Sequence, residues 1–170
     1  MTDIIEVIKH NAEVKYYVSL PDSDPQIRRL HLVRDMLFNE GFTLTGHSQT
    51  DYRGWPLYQS FKHGKRIGYS LIETNPEHAW VCLLHEQGHS IARAASPNMA
   101  KLRDNIGLYA VLGLMTNPMK VIYMHWEVIA WQFAQRTADK LSLPTDTMKK
   151  WTEYYIDINL EGLELSKELL

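Results

Sequence analysis

Two histidines four residues apart, His85 and His89, frame the sequence His-Glu-Gln-Gly-His, the segment of this chain best suited to chemistry. On a helix, positions four apart lie on the same face, so both imidazoles can reach one metal ion. Glu86 would project beside that ion and could take a proton from an activated water. This HExxH pattern predicts a hydrolytic zinc site.

The residues around the motif predict the helix that would hold it. Asn75, Pro76 and Glu77 have the composition of a helix start, with an N-cap, a proline at the first helical position and an acid in the first turn. An apolar stripe at helical spacing follows, formed by Trp80, Leu83, Leu84 and Ile91. We therefore expect a buried, capped helix that gives both histidines a defined direction.

A third metal ligand is expected on another element, because zinc in a hydrolytic site usually binds three protein side chains. Glu127 is the strongest candidate, and it lies in a helix-like segment, residues 117 to 141, that opens with Asn117 and Pro118. His125 is a rival, but two positions along a helix is about 200 degrees, so the two cannot share one direction. Small residues near the face of Glu127 would let this segment approach the motif helix closely: Ala130, Ala134 and Ala138.

With Glu127-Val128-Ile129-Ala130 downstream of the motif, the sequence resembles the gluzincin metallopeptidases, in which HExxH is followed by ExxA or ExxAD on a later helix. The glycine before the second histidine and the Phe133-Ala134 pair make it most similar to small proteins of the ImmA/IrrE type. That group includes members from phages and mobile elements. The resemblance covers roughly residues 55 to 140 and is specific at these two motifs.

The resemblance implies a fold, a cofactor and residue roles. It implies one zincin-like (minigluzincin) metallopeptidase domain over residues 1–170, which hydrolyses a peptide bond in a protein or peptide substrate. Glu86 would be the general base, and Zn²⁺ would be bound by His85, His89 and Glu127. Trp131 departs from the pattern, since many gluzincins carry there an aspartate that orients a ligating histidine. An orienting carboxylate would have to come from elsewhere.

Peptide hydrolysis also needs a donor for the negative oxygen that develops on the carbonyl. Tyr123, one turn before Glu127, is a candidate, and so are Tyr154, Tyr155 and His125. Tyrosines at helical spacing more often pack in a core or an interface. The sequence leaves this assignment open.

Composition limits the size, location and partners of the protein. Its 170 residues, 45% of them apolar, suffice for one buried core but not for two ordinary domains. A net charge of -2 and a pI near 6.4 offer no basic stripe for nucleic acid.

The single cysteine, Cys82, fits a reducing compartment and is expected to pack as a small apolar residue. With neither a signal-like nor a bilayer-length apolar segment, a soluble cytoplasmic protein is expected, without direct nucleic-acid or membrane partners.

The order of the predicted elements indicates an α+β fold. A small, mostly antiparallel N-terminal sheet with a helix would precede the motif helix and a mostly helical C-terminal half. Residues 1 to 20 are ambiguous between helix and strand. The expected elements beyond them are a helix from Ile27 to Phe38 that ends at Gly41, strands at 42–46, 57–61 and 67–72, and helices at 97–115, at 117–141 and from a cap at Thr145.

The strand before the motif helix has a second expected role. In zincins an edge strand borders the cleft and pairs with an extended substrate, and residues 67 to 71 are the candidate here. Gly68 within it fits equally well with a bulge or a point of close packing.

Two other functions are compatible with the sequence. A zincin-fold protein with a structural or vestigial metal could bind or regulate another protein through a surface built from its tryptophans. A third possibility is a DNA-associated regulator or anti-restriction factor in host or mobile-element biology. The acidic balance argues against direct DNA binding but not against cleavage of a DNA-binding repressor. Glu86 distinguishes the peptidase from the binding protein, because a purely structural metal site does not need it.

Overall fold

The computed structural model describes residues 23–51 and 54–169 of the chain. These residues form an α+β fold that is mostly helical, with one small sheet, as the sequence predicts. The elements in chain order are α1 (Pro25–Asn39), β1 (Thr43–His47), β2 (Gln59–Ser60), β3 (Arg66–Ser70), α2 (Pro76–Ala95), α3 (Pro97–Val111), α4 (Asn117–Lys140), α5 (Thr145–Gly162) and a short 3-10 helix (Lys167–Leu169). The ambiguous segment 1–20 lies outside the described residues.

Two compact units divide the chain, Met1–Gln87 and Gly88–Leu170, and the boundary falls inside helix α2. The expectation of one metallopeptidase domain over residues 1–170 stays a prediction. None of the described helices combines the length and the apolar character that crossing a membrane requires.

Helix α1 of the first unit covers the predicted helix, begins two residues before Ile27, and ends near Gly41 as predicted. The Asp24 side chain caps it by accepting a hydrogen bond from the backbone N–H of Gln26 at 2.7 Å. The chain then leaves the helix through Gly41, whose φ of 82° is in the left-handed region that favours glycine. Its buried face consists of Ile27, Leu30, Val33 and Leu37.

The sheet differs from the prediction in the direction of its longest pairing. Its strand order is β1-β3-β2, and β1 pairs with β3 in parallel along all five of its residues. Only the short β2 pairs antiparallel with β3, across a hairpin that contains Gly64 at φ 76°. The prediction of a mostly antiparallel sheet was wrong because β1 joins a strand that is not its neighbour in sequence, and no local turn signal marks such a pairing.

The candidate edge strand is the central strand of the sheet. Ile67 to Ser70 are all buried, with β1 paired along all of them and β2 along Ile67 and Gly68. Among the described strands, β1 and β2 lie at the edges instead. Gly68 is a point of close packing: a Cβ atom there would lie 2.9 Å from His47 Nε2 and 3.0 Å from Gln59 Cγ. A substrate therefore cannot pair, as predicted for residues 67 to 71, with the part of β3 that already has a strand on both sides.

Helix α2, which carries the HExxH motif, starts with the predicted cap. The Asn75 side chain accepts hydrogen bonds from the backbone N–H groups of Glu77, at 3.0 Å, and His78, at 3.4 Å. Side chains of α1 fix the helix further along. Gln26 accepts from the Trp80 indole at 2.9 Å, and the Gln87 amide donates to Glu40 at 2.7 Å. The motif helix is thus anchored near its start and again within the motif.

The helices of the second unit pack through small and aromatic side chains. Ala92, Ala100 and Trp126 form a buried cluster in which α2, α3 and α4 each contribute one residue. Two helix starts lie one residue away from the predicted caps. Thr116 is the N-cap of α4, and Pro144 is the N-cap of α5. Shifts of this size are common at helix ends and leave the faces of the helices unchanged.

Candidate metal centre

The structure brings together the three side chains that the sequence proposes as metal ligands. His85 and His89 lie one turn apart on α2, and Glu127 lies on α4. One ligand atom from each lies within 4.8 Å of the other two. His89 Nε2 and Glu127 Oε2 are 3.3 Å apart. Two ligands about 2.1 Å from one tetrahedral metal ion would be about 3.4 Å apart, so the distance between this pair is compatible with a shared ion.

The donor set suits a hydrolytic metal. Two imidazole nitrogens and one carboxylate oxygen are the ligands of catalytic zinc sites that keep a fourth position for water or substrate. His89 and Glu127 are only 7% and 6% exposed, whereas His85 and Glu86 retain more exposure. Burial of the group lowers the dielectric around its ligand atoms, which strengthens electrostatic interactions there.

Gly88 explains why Glu127 can reach the histidine face. A Cβ atom at Gly88 would lie 2.1 Å from the carbonyl oxygen of Ala130, which is far inside contact distance. Only a residue without a side chain allows the backbone of α4 to pass this close to α2. Ala130, Ala134 and Ala138 are fully buried, as their small size predicts.

Two residues that the sequence analysis did not identify lie against the candidate ligands. The ring of Trp126 stacks on that of His89, with centroids 6.4 Å apart and planes 18° apart. Arg103 of α3 lies 3.7 Å from Glu127 Oε1, and its guanidinium also donates to the Tyr123 hydroxyl at 3.4 Å. No sequence signal marks Arg103, because it lies on a different helix 24 positions before the carboxylate that it contacts.

Tyr123, the candidate oxyanion donor, and the ligand cluster are both in contact with Arg103. The guanidinium carbon of Arg103 lies 4.9 Å from the centre of the Tyr123 ring, and the same side chain contacts Glu127. This places Tyr123 near Glu127, one of the candidate ligands, and its role as a donor stays a prediction.

The other residues considered as ligand or oxyanion donor lie in different surroundings. His125 is partly exposed and is not part of the ligand cluster, which contains Glu127 instead. Tyr154 and Tyr155 belong to an aromatic group of α4 and α5 in which Tyr155 stacks on Trp131 at 5.6 Å. Trp131, at the position of the gluzincin aspartate, is thus a buried packing residue.

Comparison with protein-family models, with curated proteins and with solved structures yields no match to this chain.

Proposed function

We propose that this protein is a zinc-dependent metallopeptidase that hydrolyses a peptide bond with Glu86 as general base. The observation that carries the proposal is the cluster of His85, His89 and Glu127, with one ligand atom from each within 4.8 Å of the others. Three ligands of this kind are what a catalytic zinc ion requires. Glu86, next to His85 on the same helix, adds a base that a structural metal site would not need.

Each residue then has a definite task. His85, His89 and Glu127 would hold the zinc ion, which supplies a Lewis acid for the carbonyl and for the attacking water. Glu86 accepts a proton from that water and returns it to the leaving amine nitrogen as the C–N bond breaks. Tyr123 is the proposed donor to the developing negative oxygen, and Arg103 holds its hydroxyl.

The rival proposal is a protein of similar fold that binds a partner and does not hydrolyse it. Three of the five tryptophans expected to form its surface are at most 1% exposed, namely Trp80, Trp126 and Trp131, whereas Trp55 and Trp151 are partly exposed. One other observation favours it. Leu108, Leu112 and Leu114, at the end of α3 and just beyond it, are each about 60% exposed.

A comparison of peptide cleavage by the parent and by a variant without the proposed base distinguishes the two proposals. Zinc-loaded parent and Glu86→Gln are each incubated with a peptide library, and new N-termini are labelled and identified by mass spectrometry. The peptidase proposal expects new termini from the parent and a rate at least 100-fold lower from Glu86→Gln, because the base is lost while the ligands remain. Equal cleavage by both proteins would point to a contaminant. No cleavage by a parent that holds zinc would favour the binding protein.

A further inference from the structure

A second group of titratable side chains lies in the first unit, formed by Glu73, His78 and Cys82. These residues are 4%, 4% and 7% exposed, and the peptidase proposal uses none of them. Glu73 follows β3, and the other two lie one turn apart near the start of α2. The buried position of Cys82 agrees with the prediction, but its sulfur faces an imidazole and not only apolar neighbours.

The Glu73 carboxylate is fixed from several sides. Its Oε1 accepts hydrogen bonds from the backbone N–H groups of Thr74, at 2.9 Å, and Asn75, at 2.8 Å. Its Oε2 accepts from the Tyr58 hydroxyl at 3.3 Å and also contacts His78 Nδ1. A buried carboxylate with this many donors is a stable partner for a cation.

The His78 ring connects this carboxylate to the sulfur of Cys82. Its Nδ1 meets Glu73, and its Nε2 lies 3.3 Å from Cys82 Sγ. The rings of Trp55 and Tyr58 meet it edge-on, with centroids 6.5 Å and 5.9 Å away, and limit its rotation. Sulfur, imidazole and carboxylate thus lie in the order that activates a cysteine nucleophile.

The charge of His78 follows from its neighbours. Burial alone lowers the pKa of His78, but the contacts with Cys82 and Glu73 outweigh that effect and raise the pKa to about 10. The ring therefore carries a proton on both nitrogens at neutral pH, one directed to the carboxylate and one to the sulfur. The imidazolium therefore holds its Nε2 proton beside the Cys82 sulfur, 3.3 Å away.

We propose that Cys82 is an oxidant-sensitive thiol, activated by His78 and Glu73, that a small peroxide such as hydrogen peroxide converts to a sulfenic acid. The 7% exposure of Cys82 limits access to a reagent of about this size. In the reaction the sulfur attacks one peroxide oxygen, the S–O bond forms and the O–O bond breaks. The leaving hydroxide takes the Nε2 proton of His78 and becomes water, and His78 regains a proton from solvent. Sulfur is oxidised and the peroxide is reduced.

The test uses the full-length protein and a reagent that traps sulfenic acids. Because Cys82 is the only cysteine of the chain, every trapped adduct reports on this residue. The rate with hydrogen peroxide is measured on the folded parent and on the same chain unfolded in urea at the same pH. Activation predicts that the folded protein reacts at least tenfold faster. A folded protein that reacts more slowly than the unfolded chain would show a buried, inert thiol and would overturn the proposal.

The oxidation rates of two histidine variants test whether the imidazole of His78 activates the thiol. His78→Asn can still donate to Glu73 but places no cation beside the sulfur, so its rate should fall at least tenfold from that of the parent. His63→Asn, at an exposed hairpin histidine, is the matched control and should react like the parent. Equal rates for the parent and a folded His78→Asn would overturn the role of His78. If His78→Asn does not fold, the comparison of folded and unfolded parent still decides.

Discussion

The two carboxylate oxygens of Glu127 have different neighbours. Oε2 lies 3.3 Å from His89 Nε2, and Oε1 lies 3.7 Å from the Arg103 guanidinium. Arg103 therefore holds the carboxylate through the oxygen that does not face the histidine. Partners of this kind orient a metal ligand without binding the metal.

We predict that Arg103→Met weakens zinc binding about 10-fold, because loss of such a partner commonly costs 10- to 100-fold in affinity. Arg103→Lys keeps the charge and should lose less. Competition with a chromophoric chelator measures both affinities. Tighter zinc binding by Arg103→Met would show that repulsion between guanidinium and metal outweighs the positioning of Glu127.

The protonation of His78 makes the stability of the protein depend on pH. Its pKa rises from 6.5 to about 10 on folding, so the native state keeps a proton that the unfolded chain releases. This contribution to stability is complete below pH 6.5 and is lost as the pH rises towards 10. Burial also raises the pKa of Tyr69, which lowers stability only above about pH 10.

We therefore expect the free energy of unfolding of the metal-free protein to fall steadily between pH 7 and pH 10. Urea unfolding at pH 7, 8.5 and 10 measures it, and His78→Asn should show a flatter profile. A parent profile as flat as that of His78→Asn would contradict the raised pKa.

Residue types and local spacing suffice to predict the three side chains that the structure brings together, but not the residues around them. The positions of His85 and His89 follow from helix geometry alone, and the small residues after Glu127 indicate its helix face. Arg103, by contrast, reaches Glu127 only through the packing of α3 on α4. Such a contact between separate helices leaves no periodic signal in one sequence.

At the level of elements, the approach of α4 to α2 depends on the absence of a side chain at Gly88. Gly88→Ala would place a methyl group 2.1 Å from the Ala130 carbonyl oxygen, so the helices must separate. We predict a loss of about 1–3 kcal/mol in stability, the usual cost of overpacking, and weaker zinc binding.

Gly107→Ala in α3 is the matched control, because its Cβ would meet nothing closer than Arg103 Nη1 at 3.7 Å. Alanine is the better helix former, so this variant should gain about 0.5–1 kcal/mol. Urea unfolding of both variants measures the difference. Small and equal changes in the free energy of unfolding of the two variants would contradict the close packing of α2 against α4.

Most helix boundaries could be predicted to within one or two residues because their signals are local, whereas the pairing of the strands could not be predicted. The predicted cap Asn75 and the predicted exit at Gly41 each act within a few residues. The pairing of β1 with β3 joins segments about 23 residues apart, such as Thr43 and Arg66. Only the packing of the whole unit selects that register over a simple meander.

For the whole molecule, a metal that binds three side chains on two helices should link zinc to folding. A ligand that binds only the native state stabilises it, by about 2.7 kcal/mol when its free concentration is 100 times the Kd. We expect added zinc to raise the thermal midpoint of the parent, and a chelator to reverse the shift. The midpoint of His89→Ala should stay the same with and without zinc. An equal shift in His89→Ala would place the binding elsewhere.

The most direct measurement is the zinc content of the purified protein by elemental mass spectrometry, on the parent, His89→Ala and His125→Ala. We expect about one zinc per chain in the parent and in His125→Ala, whose imidazole lies outside the cluster, and almost none in His89→Ala. Circular dichroism shows that each variant is folded. A folded parent without zinc after incubation with the metal, or a folded His89→Ala that keeps it, would contradict the proposed centre.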